Sequence, residues 1–505
     1  MLIACALAAL VCGFVGIGRF LRLDEANSVL IASSSFSRIV QYLRSDNNLP
    51  LYYLLLHGWI RLAGISETAV HFPSLLFYLA AVLVTGRLAW DAFDDQRAVL
   101  YSAFFYLVSL QAIRHAQTAR MYSLLGMMAA LSTLFFVRLC FAEEICRKDW
   151  VWFSLVNALG VFVHVWYFFL MLGQGVSVLV VRPKKVRPVV SAMATSALPF
   201  LLLWARFLLH QARLGATDWM PVTRRSFFIQ VFTEFYGGLK WGSLLLAAVL
   251  LISVVSTKRA QIRQWLGQRE FLALAVIALT SVMVPLVVSF VRPIYWPGRY
   301  TMIALPALAA LLGGTVSRLA HPVVGAVFAL TALLGVVVFQ VRTRTEVFEN
   351  SANVYSEAES DKHAVMELCP RIPAGDTLLF TGLSRAGVEY YLRRLDCGGE
   401  VVLASFPADT ADHMGWVHND DARALQQQAL GWARQFAEAT SDHKLWVTLA
   451  HGRDNDKRIL TDTLSTSLAV AETLPVRGSF FSGIVVYARK GQPAPGEVTP
   501  QTGSQ

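Results

Sequence analysis

Long apolar runs broken by short polar segments occupy roughly the first two thirds of the chain, and short alternating runs follow. A helix needs about 20 apolar residues to cross a bilayer core. Runs near 2–20, 70–90, 98–113, 121–140, 150–164, 166–181, 189–209, 238–256, 271–290, 300–318 and 322–341 therefore predict about eleven membrane spans. The opening run Met1–Gly18 lacks a charged leader and a small-x-small cleavage site, and reads as a retained first span. The loop at about 21–69 is too long for a connector, and its half-apolar stretches Phe36–Leu43 and Leu51–Leu62 predict amphipathic helices. From about Thr345 to Lys490 the pattern becomes β-rich runs at Thr377–Phe380, Val401–Ala404, Leu445–Leu449 and Gly483–Ala488. These alternate with helical stretches at Ala386–Leu395, Asp421–Thr440 and Lys457–Leu468, which together predict a small α/β domain. The tail, residues 491–505, is rich in Pro and Gly and reads as disordered. The expected fold class is a polytopic α-helical membrane protein, residues 1–344, with a C-terminal soluble α/β domain, residues 345–490.

Composition agrees with the pattern. The chain is 55% hydrophobic and 15% charged, whereas soluble domains carry roughly a quarter charged residues. That excludes a soluble enzyme, a disordered chain and a coiled coil. The net charge of +10 is split, with +15 up to Val341 and −5 beyond it. No basic stripe with interleaved aromatics accompanies the positive charge, which argues against a nucleic-acid partner. The lysines and arginines instead crowd alternate short loops, such as Arg138/Arg147/Lys148 and Arg182/Lys184/Lys185/Arg187. Such loops stay cytoplasmic, so the N-terminus is expected inside and the α/β domain outside. Cys369 and Cys397 are the only cysteines of the polar part. A disulfide and a pair of small core residues are both open readings there.

The outward loops carry the candidate chemistry. Asp24 and Glu25 leave the first span in Phe20-Leu-Arg-Leu-Asp-Glu-Ala, among apolar residues. Charge near membrane depth is costly and usually serves a site or a pathway. Adjacent side chains on a helix diverge by about 100°, so one acid can act as a base while the other orients it or binds substrate; pairing with Arg19 or Arg22 is the plainer reading. Asp46-Asn-Asn-Leu-Pro-Leu-Tyr-Tyr53 offers Asn48, Tyr52 and Tyr53. Arg114-His-Ala-Gln-Thr-Ala-Arg-Met-Tyr122 offers Arg114, Arg120 and Tyr122, and Pro293–Tyr300 offers Tyr295, Arg299 and Tyr300. Arginine's planar fork matches phosphate oxygens. Tyrosine stacks on sugars, or belongs to the interfacial aromatic belt. No HxH or HExxH spacing joins His57, His71, His115 and His164, so no metal or other cofactor is indicated; a metal would need ligands from several loops.

Taken in order, these segments resemble the integral-membrane glycosyltransferases of the GT-C fold, in particular the protein O-mannosyltransferase and aminoarabinose-transferase superfamily (glycosyltransferase family 39 and its bacterial relatives). The matching residues are Leu23-Asp24-Glu25-Ala26, Pro50–Tyr53, Trp59–Glu67 in a Trp-x-x-x-x-Gly-x-Ser-Glu pattern, Ala119–Leu124 and Pro297–Tyr300. The likeness covers residues 20–125 and, more thinly, 290–310. It departs from relatives at Asn48-Leu-Pro, where His-Pro-Pro is frequent, and at His71-Phe-Pro-Ser, where Arg is frequent. The resemblance implies a bacterial inner-membrane enzyme that moves a sugar from a polyprenyl-phosphate donor to a lipid, glycan or protein acceptor on the periplasmic face, with inversion. It implies Asp24 as base, Glu25 as its orienter or an acceptor ligand, and Arg120 and Arg299 at the departing phosphate. A transporter or flippase of lipid-linked sugars would also place acids and arginines in the membrane, but inverted repeats are not visible. A non-catalytic binding relative is the other alternative.

Overall fold

The computed structural model describes residues 2–215, 264–296, 298–319, 360–397, 399–408, 421–451 and 454–491, with isolated positions between 217 and 236 and at 323. The expected spans at 238–256 and 322–341, the acids Asp218 and Glu234, and the tail beyond residue 491 lie outside the described residues. The chain divides into two compact units. Met1–Arg19 and Ile31–Thr345 form the first; Phe20–Leu30 and Glu346–Gln505 form the second.

The first unit is helical. Among the described residues, Glu67–Phe93, Tyr122–Phe141, Pro183–Leu203 and Arg269–Val288 are long and apolar enough to cross a membrane, and Tyr167–Val181 is a shorter apolar helix. Leu198, Leu201, Leu202 and Leu203 stay exposed, as lipid-facing side chains do. Other expected spans are shorter or broken. The run at 98–113 becomes Gln96–Leu107 and Leu110–Ala116, because Ser109 caps a new helix. The run at 2–20 is helical only over Leu2–Phe14, and Gly16 beyond it has a positive φ. The run at 150–164 becomes Arg147–Gly160, and 300–318 becomes a 3-10 turn, Tyr300–Ile303, followed by Leu305–Leu319. Hydropathy reports composition, whereas local caps and left-handed residues decide where the helical ladder stops.

Small residues let the helices pack closely. A Cβ on Gly313 would collide with the Ser102 backbone, which is how Leu305–Leu319 lies against Gln96–Leu107. The expected amphipathic stretches form helices Phe36–Arg44, which buries Ile39 and Leu43, and Pro50–Ala63. Pro50 occupies the first turn, where its missing N–H is harmless. Asp91 pairs with Arg87 at 2.8 Å and Arg138 at 2.5 Å, which ties Glu67–Phe93 to Tyr122–Phe141.

The second unit is built on a five-stranded sheet of β1 (Thr377–Thr381), β2 (Val402–Phe406), β3 (Leu445–Ala450), β4 (Leu468–Leu474) and β5 (Phe481–Arg489), in the order β2-β1-β3-β5-β4. β1 pairs parallel with β2 and β3, while β5 runs antiparallel to β3 and β4. All five residues of β1 are buried, as in a parallel strand covered on both faces. Leu425, Ala429, Ala433 and Phe436 of Ala422–Ala437 join Leu460 and Leu464 of Asp454–Ser467 over Leu379, Leu445 and Val447. Cys369 and Cys397 form a disulfide. β4 was not expected: it follows a helix directly, with no Gly or Pro between, and its partly exposed Ala, Val and Glu positions become a strand by pairing with β5.

Candidate active site

In the first unit several of the candidate motifs converge. The loop 117–120 is tied down first. Arg19 donates from Nε (3.0 Å) and Nη2 (2.8 Å) to the Gln117 carbonyl, and the Gln117 side chain donates to Val15 O at 2.5 Å. Ser74 donates to Thr118 O at 2.6 Å. Arg120, 9% exposed, then reaches two residues of the 46–53 segment. Its Nη1 donates to Tyr53 Oη at 3.2 Å, and its Nη2 to Asn48 Oδ1 at 3.3 Å. Asn48 is in turn oriented by donating to Asp46 Oδ2 at 3.0 Å. The guanidinium also lies 5.9 Å from the Tyr122 ring centroid. Tyr53 is fully buried, and Tyr52 packs edge-on against it at 5.7 Å.

The 293–301 segment joins from the other side. His115 Nε2 donates to Gly298 O at 2.8 Å, and Gln111 Nε2 donates to Thr301 Oγ1 at 2.7 Å. Gly298 has φ +75°, which a side chain would strain, and a Cβ there would sit 3.2 Å from Arg114 Nη1. Burial first, and then the charge of Arg114, hold the His115 imidazole well below its ordinary pKa. It is therefore a neutral donor.

Rings complete the wall. His115 packs on Tyr122 at 4.5 Å, Tyr122 faces Tyr300 at 6.2 Å, and His164 lies 4.8 Å from Tyr300. Trp166 touches both Tyr300 (5.1 Å) and Tyr295 (5.9 Å). Arg299 stacks over Trp296 at 5.3 Å. His164 accepts from Trp166 N–H at Nδ1 (3.1 Å), which leaves its hydrogen on Nε2. His115, His164 and Trp166 had no motif to announce them as site residues; only a histidine near a span end on the outward side hinted at two of them.

The cluster thus unites Asn48, Tyr53, Arg120, Tyr122, Tyr300 and Tyr295, with Arg114 beside Gly298 and Arg299 on Trp296. Each of the four candidate histidines bonds a backbone group: His57 with Ala32 O, His71 with Ile17 O, His115 with Gly298 O and His164 with Trp166 N. Among the described residues no three His, Cys, Asp or Glu side chains gather as a metal-binding group.

Asp24 and Glu25 belong to the second unit. They lie in the first turn of helix Leu23–Ala32, and their environments differ. Glu25 is 2% exposed and accepts from Arg22 N at 3.2 Å, the backward half of a capping box. Asp24 is partly exposed, and its carbonyl accepts from Ser28 Oγ at 2.8 Å. The two adjacent acids therefore differ in exposure, and part of Glu25's capacity serves its own helix.

No protein-family model matches the chain, and no curated protein matches it. Solved structures do. The arrangement is similar to ArnT from Cupriavidus metallidurans in the apo state, at 13% identity and a TM-score of 0.63, over 96% of each chain. It is also similar to the same protein bound to undecaprenyl phosphate, at 14% identity and a TM-score of 0.66, over 96% of this chain and 97% of that one. The apo Archaeoglobus fulgidus oligosaccharyltransferase is more distant, at 12% identity and a TM-score of 0.51, over 98% of this chain and 75% of that one. The fold is GT-C-like.

Proposed function

We propose that this protein is an inverting glycosyltransferase of the bacterial inner membrane, moving a sugar from a polyprenyl-phosphate carrier to a lipid, glycan or protein acceptor on the periplasmic face. The observation that carries the reading is the gathering of Asn48, Tyr53, Arg120, Tyr122, His164 and Tyr300 into one aromatic-walled, cationic cluster within a GT-C-like unit. The similarity to ArnT bound to undecaprenyl phosphate supports the choice of carrier. In the reaction Asp24 takes the proton of the acceptor hydroxyl. The freed oxygen attacks the anomeric carbon, the bond to the phosphate oxygen breaks, and polyprenyl phosphate leaves with the electron pair as the configuration inverts. A phosphodiester leaving group needs charge stabilisation more than a proton, the task of Arg120 and Arg299, while the acceptor needs the base. Tyr122, Tyr295 and Tyr300 offer faces to the sugar, and Asn48 and Tyr53 aim Arg120.

The same reading takes residues 1–344 as a module of about eleven spans with a cytoplasmic N-terminus, and 345–490 as a periplasmic domain. The Cys369–Cys397 disulfide supports an oxidising compartment for that domain. The test is Asp24→Asn. The variant is expected to express and fold normally and to release no undecaprenyl phosphate from a lipid-linked sugar fraction; near-normal release would defeat the assignment.

A further inference from the structure

Phe20–Leu30, which carries both acids, groups with the residues from Glu346 onward. One hydrogen bond shows how this segment is held there. Leu21 N donates to the phenol oxygen of Tyr391 at 2.8 Å, across 370 positions of sequence. Both residues are fully buried. Water cannot replace the partner, so leaving that N–H without one exposes it to the full penalty of an unpaired buried donor.

Tyr391 sits on a braced support. It belongs to helix Arg385–Arg394, in which every residue from Ala386 to Leu392 is buried. A helix covered on all sides is held by more than one neighbour. Arg385 bonds Glu389 at 2.7 Å and reaches Ser405 of β2 at 2.8 Å, and Arg393 pairs with the same Glu389. Tyr390 packs edge-on against the Tyr391 ring at 4.7 Å. Beyond the helix, Cys397 N donates to Leu392 O at 3.0 Å, and its sulfur is bonded to Cys369.

The other side of the bond is equally constrained. Helix Leu23–Ala32 opens directly after the anchored amide, with Ala26 N donating to Arg22 O at 2.8 Å and Glu25 reaching back to Arg22 N. Asp24 therefore stands in a capped first turn, three residues from a fixed point.

We propose that Tyr391 is a positioning residue for glycosyl transfer: its hydroxyl fixes Leu21 and so sets where the first turn of Leu23–Ala32 presents Asp24. The role rests on the reading of Asp24 as base. It gives the C-terminal unit a definite task, holding the catalytic segment. A misplacement of about 1 Å at a reacting group costs roughly 10²-fold in rate, so a single remote hydrogen bond can matter.

Tyr391→Phe removes one oxygen and keeps the ring. In the full-length protein in lipid nanodiscs, amide exchange of the peptide covering 20–26 should accelerate about tenfold, while exchange in β1 and β3 stays unchanged. Release of undecaprenyl phosphate from extracted lipid-linked sugar should show kcat lowered about tenfold, with KM and the stoichiometry of undecaprenyl phosphate binding unchanged. A purely structural role would lower that stoichiometry or loosen the sheet, and either result overturns the proposal. Unaltered exchange at 20–26, or faster exchange with normal kcat, also overturns it. An Asp24→Asn variant with normal turnover removes the base assignment and this proposal together. An inactive Asp24→Asn beside an unimpaired Tyr391→Phe removes the positioning role alone.

Discussion

Arg120 offers the most direct measurement of the proposed donor site. Its guanidinium is almost withdrawn from solvent and held by Tyr53 Oη at 3.2 Å and Asn48 Oδ1 at 3.3 Å. Both of these partners are neutral and aim the guanidinium without contributing a charge of their own. A unit charge about 4 Å from a phosphate oxygen, at an effective dielectric near 20, is worth ~4 kcal/mol. Desolvation of the phosphate takes back part of that, leaving a loss of ~2–4 kcal/mol, or about 30- to 1,000-fold in Kd, when the charge is removed. Arg120→Gln is the charge-removing change. Arg120→Lys keeps the charge but not the fork, and should weaken binding only about tenfold. Tyr53→Phe removes one hydrogen bond to a charged group, about 1.5 kcal/mol, and should fall between the native protein and Arg120→Gln. The assay is equilibrium binding of undecaprenyl phosphate to protein in nanodiscs, which needs no knowledge of the sugar. If Arg120→Gln binds undecaprenyl phosphate as tightly as the native protein, the reasoning is refuted: the cluster would then be a structural pairing and not a phosphate site.

Other consequences are open to measurement. Arg299→Ala should weaken undecaprenyl phosphate binding by about tenfold or more, since it removes the second charge proposed for the departing phosphate; unchanged donor binding takes Arg299 out of the site. Cysteines introduced at 186 and 420 should react with membrane-impermeant reagents from opposite sides, and labelling from one side would overturn the proposed topology. Burial pushes the Asp361 carboxyl up to about 6. Because the folded value is raised, its stabilising contribution is complete below about pH 4 and is lost as pH rises through about 6. That amounts to about 3 kcal/mol for the second unit over this window. Asp361→Asn should flatten the difference in unfolding midpoint between pH 4 and pH 7, and an unaltered pH slope would show that this carboxyl is not the cause.

The comparison of pattern with structure is instructive residue by residue. Tyr53 and Arg120 were legible as candidates because their segments broke the apolar pattern with groups that recognise phosphate or sugar. Their bond was not legible, since 67 residues separate them and nothing in either segment names the other. His164 looked like one polar residue at a span end; its significance comes from lying between Tyr122 and Tyr300. The break at Ser109 was hidden because a run of apolar residues continues through it, while the cap that ends one helix and starts the next is a matter of a single hydroxyl. β4 was hidden for the opposite reason, its partner β5 supplying what its own residues lack.

By itself the sequence determined the class of molecule: apolar runs too long for a soluble core, an α/β alternation behind them, and segments in which acids, arginines and tyrosines interrupt the apolar pattern. These are properties of local composition and period, which act within a turn or a strand and need no distant partner. Tertiary structure alone decided which loops meet, that Glu25 is buried while Asp24 stays partly exposed, and that residues 20–30 are gathered with the C-terminal unit through Leu21 and Tyr391. Those outcomes depend on contacts between residues tens to hundreds of positions apart, where the energy belongs to the pair and is written in neither residue alone.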